Sequence, residues 1–217
     1  PTTAATADIQ IISDTTNGNA LGSALLSGDF NSDGKIDLIA GDYDYAAADG
    51  AVYFYDGRDN FSWTLQEQYS STAPRVTSGF SGQELRVTGE TTNSYFGYSL
   101  ASGDFNADGK TDLAVGAYGY SSSTGRAYVF YSDGSFLSNA QSADVVITGN
   151  ATSDQFGYSL ASGDFNADGK MDLAVGAQGY STNTGRAYIF HNDGSIPTTA
   201  GTADVTITGE ATNNYFG

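Results

Sequence analysis

The chain has 217 residues, a formal charge of −17 from 25 acids against 8 bases, and no cysteine. Such a surface repels nucleic acid and anionic lipid, so neither is expected as a partner. There is no disulfide framework, and no apolar run approaches the ~18 residues of a membrane helix, so no membrane insertion is expected. Fifteen tyrosines, 12 phenylalanines and 28 glycines against 3 prolines make a strand-and-turn composition, because aromatic and β-branched side chains suit a pleated, half-buried surface.

Along the chain, "PTTAATADIQI" at the start matches "PTTAGTADVTI" at 197–207, which predicts a leading outer strand over residues 1–14. A first blade is expected over 21–90, with a long insert at 58–83, "RDNFSWTLQEQYSSTAPRVTSGFSGQ". A second follows over 95–149 and a third over 155–209, and 210–217 starts a further repeat. The second and third copies are 60 residues apart: "FGYSLASGDFNADGK" at 96–110 returns at 156–170, and "TGRAYVFYSDGS" at 124–135 returns as "TGRAYIFHNDGS" at 184–195. Periods of this length are a sign of stacked repeats.

Each period reads as four short strands. In the second copy these are "YSLASGDF", "TDLAVGA", "GRAYVFY" and "ADVVITG", all with period-two alternation and none with helical spacing. "SDG" at 132–134 and "NDG" at 192–194 carry the glycine that a tight hairpin needs. Four antiparallel strands repeated at a fixed period predict propeller blades rather than a β-solenoid, whose coils are shorter. Small residues at Ser99, Ala101 and Gly103 fit the crowded centre of such a fold. The fold class is therefore all-β, with three four-stranded antiparallel blades plus an extra outer strand, either a partial propeller or an assembling protomer with open edges.

Nine of the 25 acids fall in three equivalent loops, three in each. The sets are Asp29, Asn31, Asp33, Lys35, Asp37; Asp104, Asn106, Asp108, Lys110, Asp112; and Asp164, Asn166, Asp168, Lys170, Asp172. Side-chain oxygens at loop positions 1, 3 and 5 can meet one ion if the backbone curls, which glycine at position 6 permits. Position 7 offers its backbone carbonyl, leaving the lysine side chain in solvent, and the last Asp closes the shell. Oxygen donors without His or Cys point to three calcium sites, with magnesium less suited because it demands octahedral geometry. An EF-hand is excluded: its closing glutamate is replaced by Ala40, Val115 and Val175, and flanking helices are absent from the pattern. An Asx-rich hairpin without metal is the plainer alternative, opposed by the mutual repulsion of three acids in one turn.

Elsewhere the parts for catalysis are thin. His191, the single histidine, stands where Tyr131 stands one repeat earlier and reads as a strand-end residue. Neither a Ser-His-Asp triad nor a cysteine nucleophile can be assembled, and the chain is expected not to be an enzyme. Arg126 and Arg186 recur at one strand start, which favours a structural role with a nearby acid. Trp63 in the insert is a candidate docking residue, and Asn60-Phe61-Ser62 and Asn150-Ala151-Thr152 fit the glycosylation pattern.

The blades resemble FG-GAP repeats, the family that builds the integrin α-subunit propeller and many bacterial extracellular proteins. The "FG" stands at Phe96-Gly97, Phe156-Gly157 and Phe216-Gly217, weakened to Leu21-Gly22 in the first copy. The "GAP" appears as "GAY" at 116–118 and "GAQ" at 176–178, and is reduced to "GDY" at 41–43. The resemblance implies a seven-bladed propeller, calcium in the hairpin between first and second strands, and an extracellular or cell-surface adhesion or ligand-recognition role. The expected partners are a protein or glycan ligand, or copies of the chain joined through strand edges. No ligand site carries over from it.

Overall fold

The computed structural model describes residues 20–57, 85–133 and 139–217. The expected leading strand at 1–14 and the insert, with Trp63 and Asn60, lie outside the described residues. Twelve strands form three antiparallel sheets of four, each in simple chain order. The first holds β1 (Leu25–Gly28), β2 (Asp37–Asp42), β3 (Ala51–Tyr55) and β4 (Leu85–Thr88). The second holds β5 (Ser99–Gly103), β6 (Asp112–Ala117), β7 (Arg126–Phe130) and β8 (Val145–Thr148). The third holds β9 (Phe156–Gly163), β10 (Asp172–Ala177), β11 (Arg186–Phe190) and β12 (Val205–Thr208). The protein is thus all-β, and its three sheets are the expected four-stranded antiparallel blades.

Alternation decides how the sheets stack. On β6 and β7, Leu113, Val115, Ala117, Tyr128 and Phe130 pack against Phe30, Ile39, Val52, Phe54 and Val87 of the first blade. The intervening Ala114, Ala127 and Val129 pack on the other side, with Leu173, Val175, Tyr188 and Phe190 of the third blade. The second blade therefore turns its bulkier side chains toward its predecessor and its smaller ones toward its successor, whereas the first blade meets its successor with bulky ones. A middle strand buried on both faces follows, and all six residues of β6 are buried. Two apolar cores lie between three sheets, and neither could exist within one sheet.

The expected tight hairpins at "SDG" and "NDG" are not what joins the third and fourth strands. The connections run over 131–144 and 191–204 and contain short 3₁₀ turns at Ala140–Ser142 and Ala200–Thr202. They are long because they reach back across the outer edge of the preceding blade. Asn139 bridges to Thr88 and Thr199 to Thr148, both in parallel pairing.

Each link from second to third strand is a single left-handed turn. Ser121, Ser122 and Ser123 have φ of 48°, 57° and 60°, and the same run occurs at Ala46–Ala48 and Ser181–Asn183. Such a conformation costs about 1–2 kcal/mol per L-residue. What it achieves is direction: the carbonyls of Ser122, Ser123 and Thr124 accept the backbone N–H groups of Ser153, Gln155 and Phe156, which lead into the next blade.

Candidate cation loops and the aromatic rim

The three acidic loops close the hairpins between first and second strands. The last paired residues are Gly28 with Asp37, Gly103 with Asp112, and Gly163 with Asp172. In the second loop the backbone curls around the side chain of Asp104. Its Oδ1 accepts the N–H of Asp108 at 3.0 Å and its Oδ2 that of Gly109 at 2.8 Å. Asn106 Oδ1 accepts the same Asp108 N–H at 3.0 Å, and Asp108 Oδ1 accepts the N–H of Lys110 at 2.9 Å. Gly109 sits at φ 85°, the left-handed conformation that this curl requires. The first and third loops repeat the pattern through Asp29, Asn31 and Asp33, and through Asp164, Asn166 and Asp168.

The closing acid is different in kind. Asp112 is fully buried; its Oδ2 accepts the N–H of Phe105 at 2.8 Å and its Oδ1 that of Ser132 at 2.9 Å. Burial raises its pKa to about 6, with further pressure from the charges of Asp108 and Asp104, against the lowering effect of the two N–H donors. Asp37 is raised for the same first reason, and its oxygens accept from Phe30 and Gly57. Asp172 accepts from Phe165 and Asn192. Exposed Asp168 is instead lowered, first by the Lys170 N–H.

Among the described residues no three acid or imidazole side chains already stand together as a metal cluster. The donor set nonetheless fits a hard cation. Each loop carries three carboxylates and one carboxamide in its sequence, with no imidazole or sulfur ligand. Every oxygen that accepts one N–H keeps a further lone pair. The carboxamide nitrogens of Asn106 and Asn166 lie 3.3 and 3.1 Å from Asp108 and Asp168 Oδ2, so each third-position side chain already faces the fifth-position carboxylate. The Lys110 side chain is 40% exposed, and its ammonium donates to the Ser132 carbonyl at 3.0 Å, 3.9 Å from Asp108 Oδ2.

At the opposite end of the strands lies an aromatic surface. Tyr98 precedes β5, Tyr118 follows β6 and Tyr158 sits in β9, with Tyr43 and Tyr95 alongside. Tyr95 and Tyr118 stack at 4.9 Å and 2°, Tyr98 meets Tyr118 at 4.6 Å and Tyr158 at 4.9 Å, and Tyr43 meets Tyr98 at 5.2 Å. All five are part-exposed. The Tyr98 and Tyr158 hydroxyls are 2.9 Å apart. Burial among neighbouring phenols pushes Tyr118 up to about 12. Sequence reasoning missed it, although the tyrosines that follow "FG" at 98 and 158, and the "GAY", were visible.

His191 is placed at the end of β11, where its backbone N–H donates to Asp204 as that of Tyr131 does to Asp144. Arg126 Nη1 donates to both Glu90 Oε1 and Oε2 at 3.1 and 3.0 Å, its Nε donates to Thr148 Oγ1 at 3.1 Å, and the guanidinium lies 3.7 Å above the Tyr120 ring. Arg186 stacks likewise on Tyr180, and donates to Thr208.

The FG-GAP repeat family model matches residues 96–130 and 156–190. The chain is 33% identical over 171 residues to integrin alpha pat-2 of Caenorhabditis briggsae, covering 75% of this chain and 14% of that protein. It is 34% identical over 143 residues to human integrin alpha-IIb, covering 61% and 13%. It is also 30% identical over 213 residues to human phosphatidylinositol-glycan-specific phospholipase D, covering 91% and 24%. The chain thus spans a quarter or less of each of these relatives. Matched repeats, the Phe-Gly caps and four-stranded blades agree, and the chain is built from FG-GAP repeats of the integrin α-subunit kind.

Proposed function

We propose that the chain is a calcium-stiffened, extracellular propeller module for adhesion or recognition of a protein or glycan ligand. The observation that carries the calcium reading is the threefold recurrence of one oxygen-lined curl, with glycine at φ 85° in each loop. Asp29, Asn31, Asp33 and Asp37 would hold the ion in the first loop, with the Lys35 carbonyl. Asp104, Asn106, Asp108, Asp112 and the Lys110 carbonyl serve the second, and Asp164, Asn166, Asp168, Asp172 and the Lys170 carbonyl the third. A bound cation neutralises the three acids of its loop and so holds the hairpin closed. The tyrosine rim supports the recognition reading, since part-exposed phenols offer apolar faces and hydroxyls together. The role is non-catalytic. Similarity to a phospholipase D covers 24% of that protein and falls on blades, where His191 ends a strand.

The test is thermal unfolding with calcium and with chelator. At ten times a Kd of ~10⁻⁴ M, each site adds about 1.4 kcal/mol, hence about 4 kcal/mol for three. At about 2–4 °C per kcal/mol for a chain of this size, the melt rises by roughly 8–16 °C. An unchanged melt in chelator refutes the calcium reading.

A second reading, a subunit that assembles into a fibre or lattice, is favoured by one face. Phe165, Val205, Ile207 and Phe216 are 46%, 38%, 46% and 40% exposed, whereas Phe105, Val145, Ile147 and Phe156, their counterparts 60 residues earlier, are buried by the following blade. In the first blade Ala40, Asp42 and Tyr53 are buried, while Leu25 and Ile36 are exposed. Solution mass in calcium separates the readings, a monomer counting against assembly.

A further inference from the structure

The residue two places after the third strand occupies a junction between neighbouring loops. In the third blade it is Asn192, only 2% exposed. Its N–H donates to Asp172 Oδ1 at 2.8 Å, the closing acid of its own loop. Its Nδ2 donates to the Phe105 carbonyl at 2.9 Å, inside the loop of the preceding blade. Phe105 is fixed at its other side by its N–H, which donates to Asp112 Oδ2. In the second blade the position is Ser132. Its N–H donates to Asp112 Oδ1, and its hydroxyl lies 2.9 Å from the Phe30 carbonyl of the first loop and 2.5 Å from the Thr111 carbonyl of its own. Phe30 donates in turn to Asp37 Oδ2.

Hydrogen bonds therefore run without a break from Asp112 through Phe105 and Asn192 to Asp172, and the link from Asp37 and Phe30 to Asp112 passes through the one Ser132 hydroxyl proton, which the Phe30 and Thr111 carbonyls share. In the first blade the position is Gly57, which has the N–H for Asp37 but no side chain to reach further. A Cβ there would stand 2.1 Å from the Ile36 carbonyl, so the blade has no room for a donor. The junction is conserved in geometry across Gly57, Ser132 and Asn192, while its side chain varies.

We propose that Ser132 and Asn192 are positioning residues that couple adjacent cation loops, so that filling one loop raises the affinity of the next. This rests on the calcium reading above. The physical reason is burial. Asp112 and Asp172 are fully buried, Ser132 and Asn192 nearly so, and a donor or acceptor left unmade there has no water to turn to. A shift of Asp112 on closing its loop carries Phe105 with it. The position of the Phe105 carbonyl sets whether Asn192 can hold Asp172 at the same time. Coupling is thus transmitted through one residue clamped at both its N–H and its carbonyl, the two peptide units that flank its Cα.

The test uses calcium titration calorimetry on the full chain with the first loop disabled by Asp29→Asn. Asp104→Asn then disables the second loop, and the affinity of the third is read with and without it. Coupling predicts that Asp104→Asn weakens calcium at the third loop about five-fold or more. In an Asn192→Ala background the same substitution has no further effect, and Asn192→Ser, the donor found in the second blade, restores the dependence. Circular dichroism checks that each variant is folded. If Asn192→Ala does not fold, loss of the dependence on Asp104→Asn in Ser132→Ala/Asn192→Ser, against its retention in Asn192→Ser alone, would place the coupling elsewhere and overturn the assignment. Calcium binding at the third loop that is indifferent to Asp104→Asn overturns the coupling while leaving the calcium reading intact. No binding heat and no calcium-dependent melt would remove the calcium reading itself.

Discussion

Truncation of one repeated phenylalanine measures how much of the stability lies between blades rather than within them. Phe156 and Phe216 hold the same place in successive copies of the "FG" motif. Phe156 is fully buried, its ring edge-on to Tyr188 at 5.4 Å and to Phe190 at 6.3 Å. Phe216 makes the same parallel bridge to the preceding strand, with Gly185 in place of Gly125, but remains 40% exposed. Phe156→Ala removes a whole buried ring and leaves a cavity, at a cost of about 3–5 kcal/mol. Phe216→Ala gives up the covered part of a ring into water, about 1–2 kcal/mol, with no enclosed cavity. At about 2–4 °C per kcal/mol, the melting temperature falls by roughly 6–20 °C for the first and 2–8 °C for the second. Thermal and urea unfolding, both at one fixed calcium concentration, read the difference. Equal losses within 1 kcal/mol by that scale would refute the claim that the following blade supplies the burial.

Arg126→Ala leaves Glu90, whose side chain is 9% exposed, without its partner and uncovers Tyr120; with Arg126 itself 21% exposed, the expected urea-unfolding loss is about 2–3 kcal/mol, and Arg126→Lys recovers only part because a single ammonium cannot meet Glu90 and Thr148 together while stacking a plane on Tyr120. Asp154 has a raised pKa because it is buried, and its Oδ2 has no partner, so the folded state holds a proton more tightly than the unfolded one. Its contribution is fully present below the ordinary value of 3.8 and is lost as pH rises through the folded value. Asp154→Asn, which installs the residue found at Asn214, should therefore raise the urea midpoint at pH 7 and gain nothing at pH 3. Ser122→Val, at φ 57°, should lower the melt by more than the roughly 1–2 kcal/mol the position already costs, whereas Ser122→Gly should hold or raise it.

Much of the architecture was legible because it rests on local patterns that repeat. Alternation of Leu113, Val115 and Ala117 against Ala114 marks a strand covered on both sides, and the spacing of Asp104, Asn106, Asp108 and Asp112 marks a curled loop. What stayed hidden depends on a neighbouring blade. Nothing in "YAAADG" or "YSSSTG" announces three left-handed residues, since their propensity opposes it; the carbonyls are turned by demand from the next blade. The junction escaped notice because Gly57, Ser132 and Asn192 share a place without sharing a side chain. The tyrosine surface escaped because Tyr43, Tyr98 and Tyr158 come from three different sheets, and a period read along one chain does not show what meets across it. "SDG" misled in the opposite sense, since a turn-forming triplet there opens a strap across the preceding blade.

Both rims of the stack carry hydrogen bonds given by the later blade to the earlier one, beside others of the opposite sense such as that from Ser99 Oγ to the Gly157 carbonyl. At the aromatic end, blade-to-blade amides such as Gln155 and Phe156 donate to carbonyls of the preceding left-handed turn. At the cation end, Ser132 and Asn192 donate to carbonyls of the preceding loop. In each case the later blade gives the proton and the earlier one has already shaped the acceptor. Three left-handed residues cost about 3–6 kcal/mol, and three backbone hydrogen bonds return about 1.5–4.5. The turn is therefore close to balance and holds only while its successor is docked. The acidic loops obey the same logic with charge instead of backbone strain: alone, their carboxylates repel, and a neighbour's donor and a cation together hold them closed. A blade of this kind is stable as a member of a series. The exposed Phe165, Val205, Ile207 and Phe216 face is the apolar counterpart of those two unfinished rims.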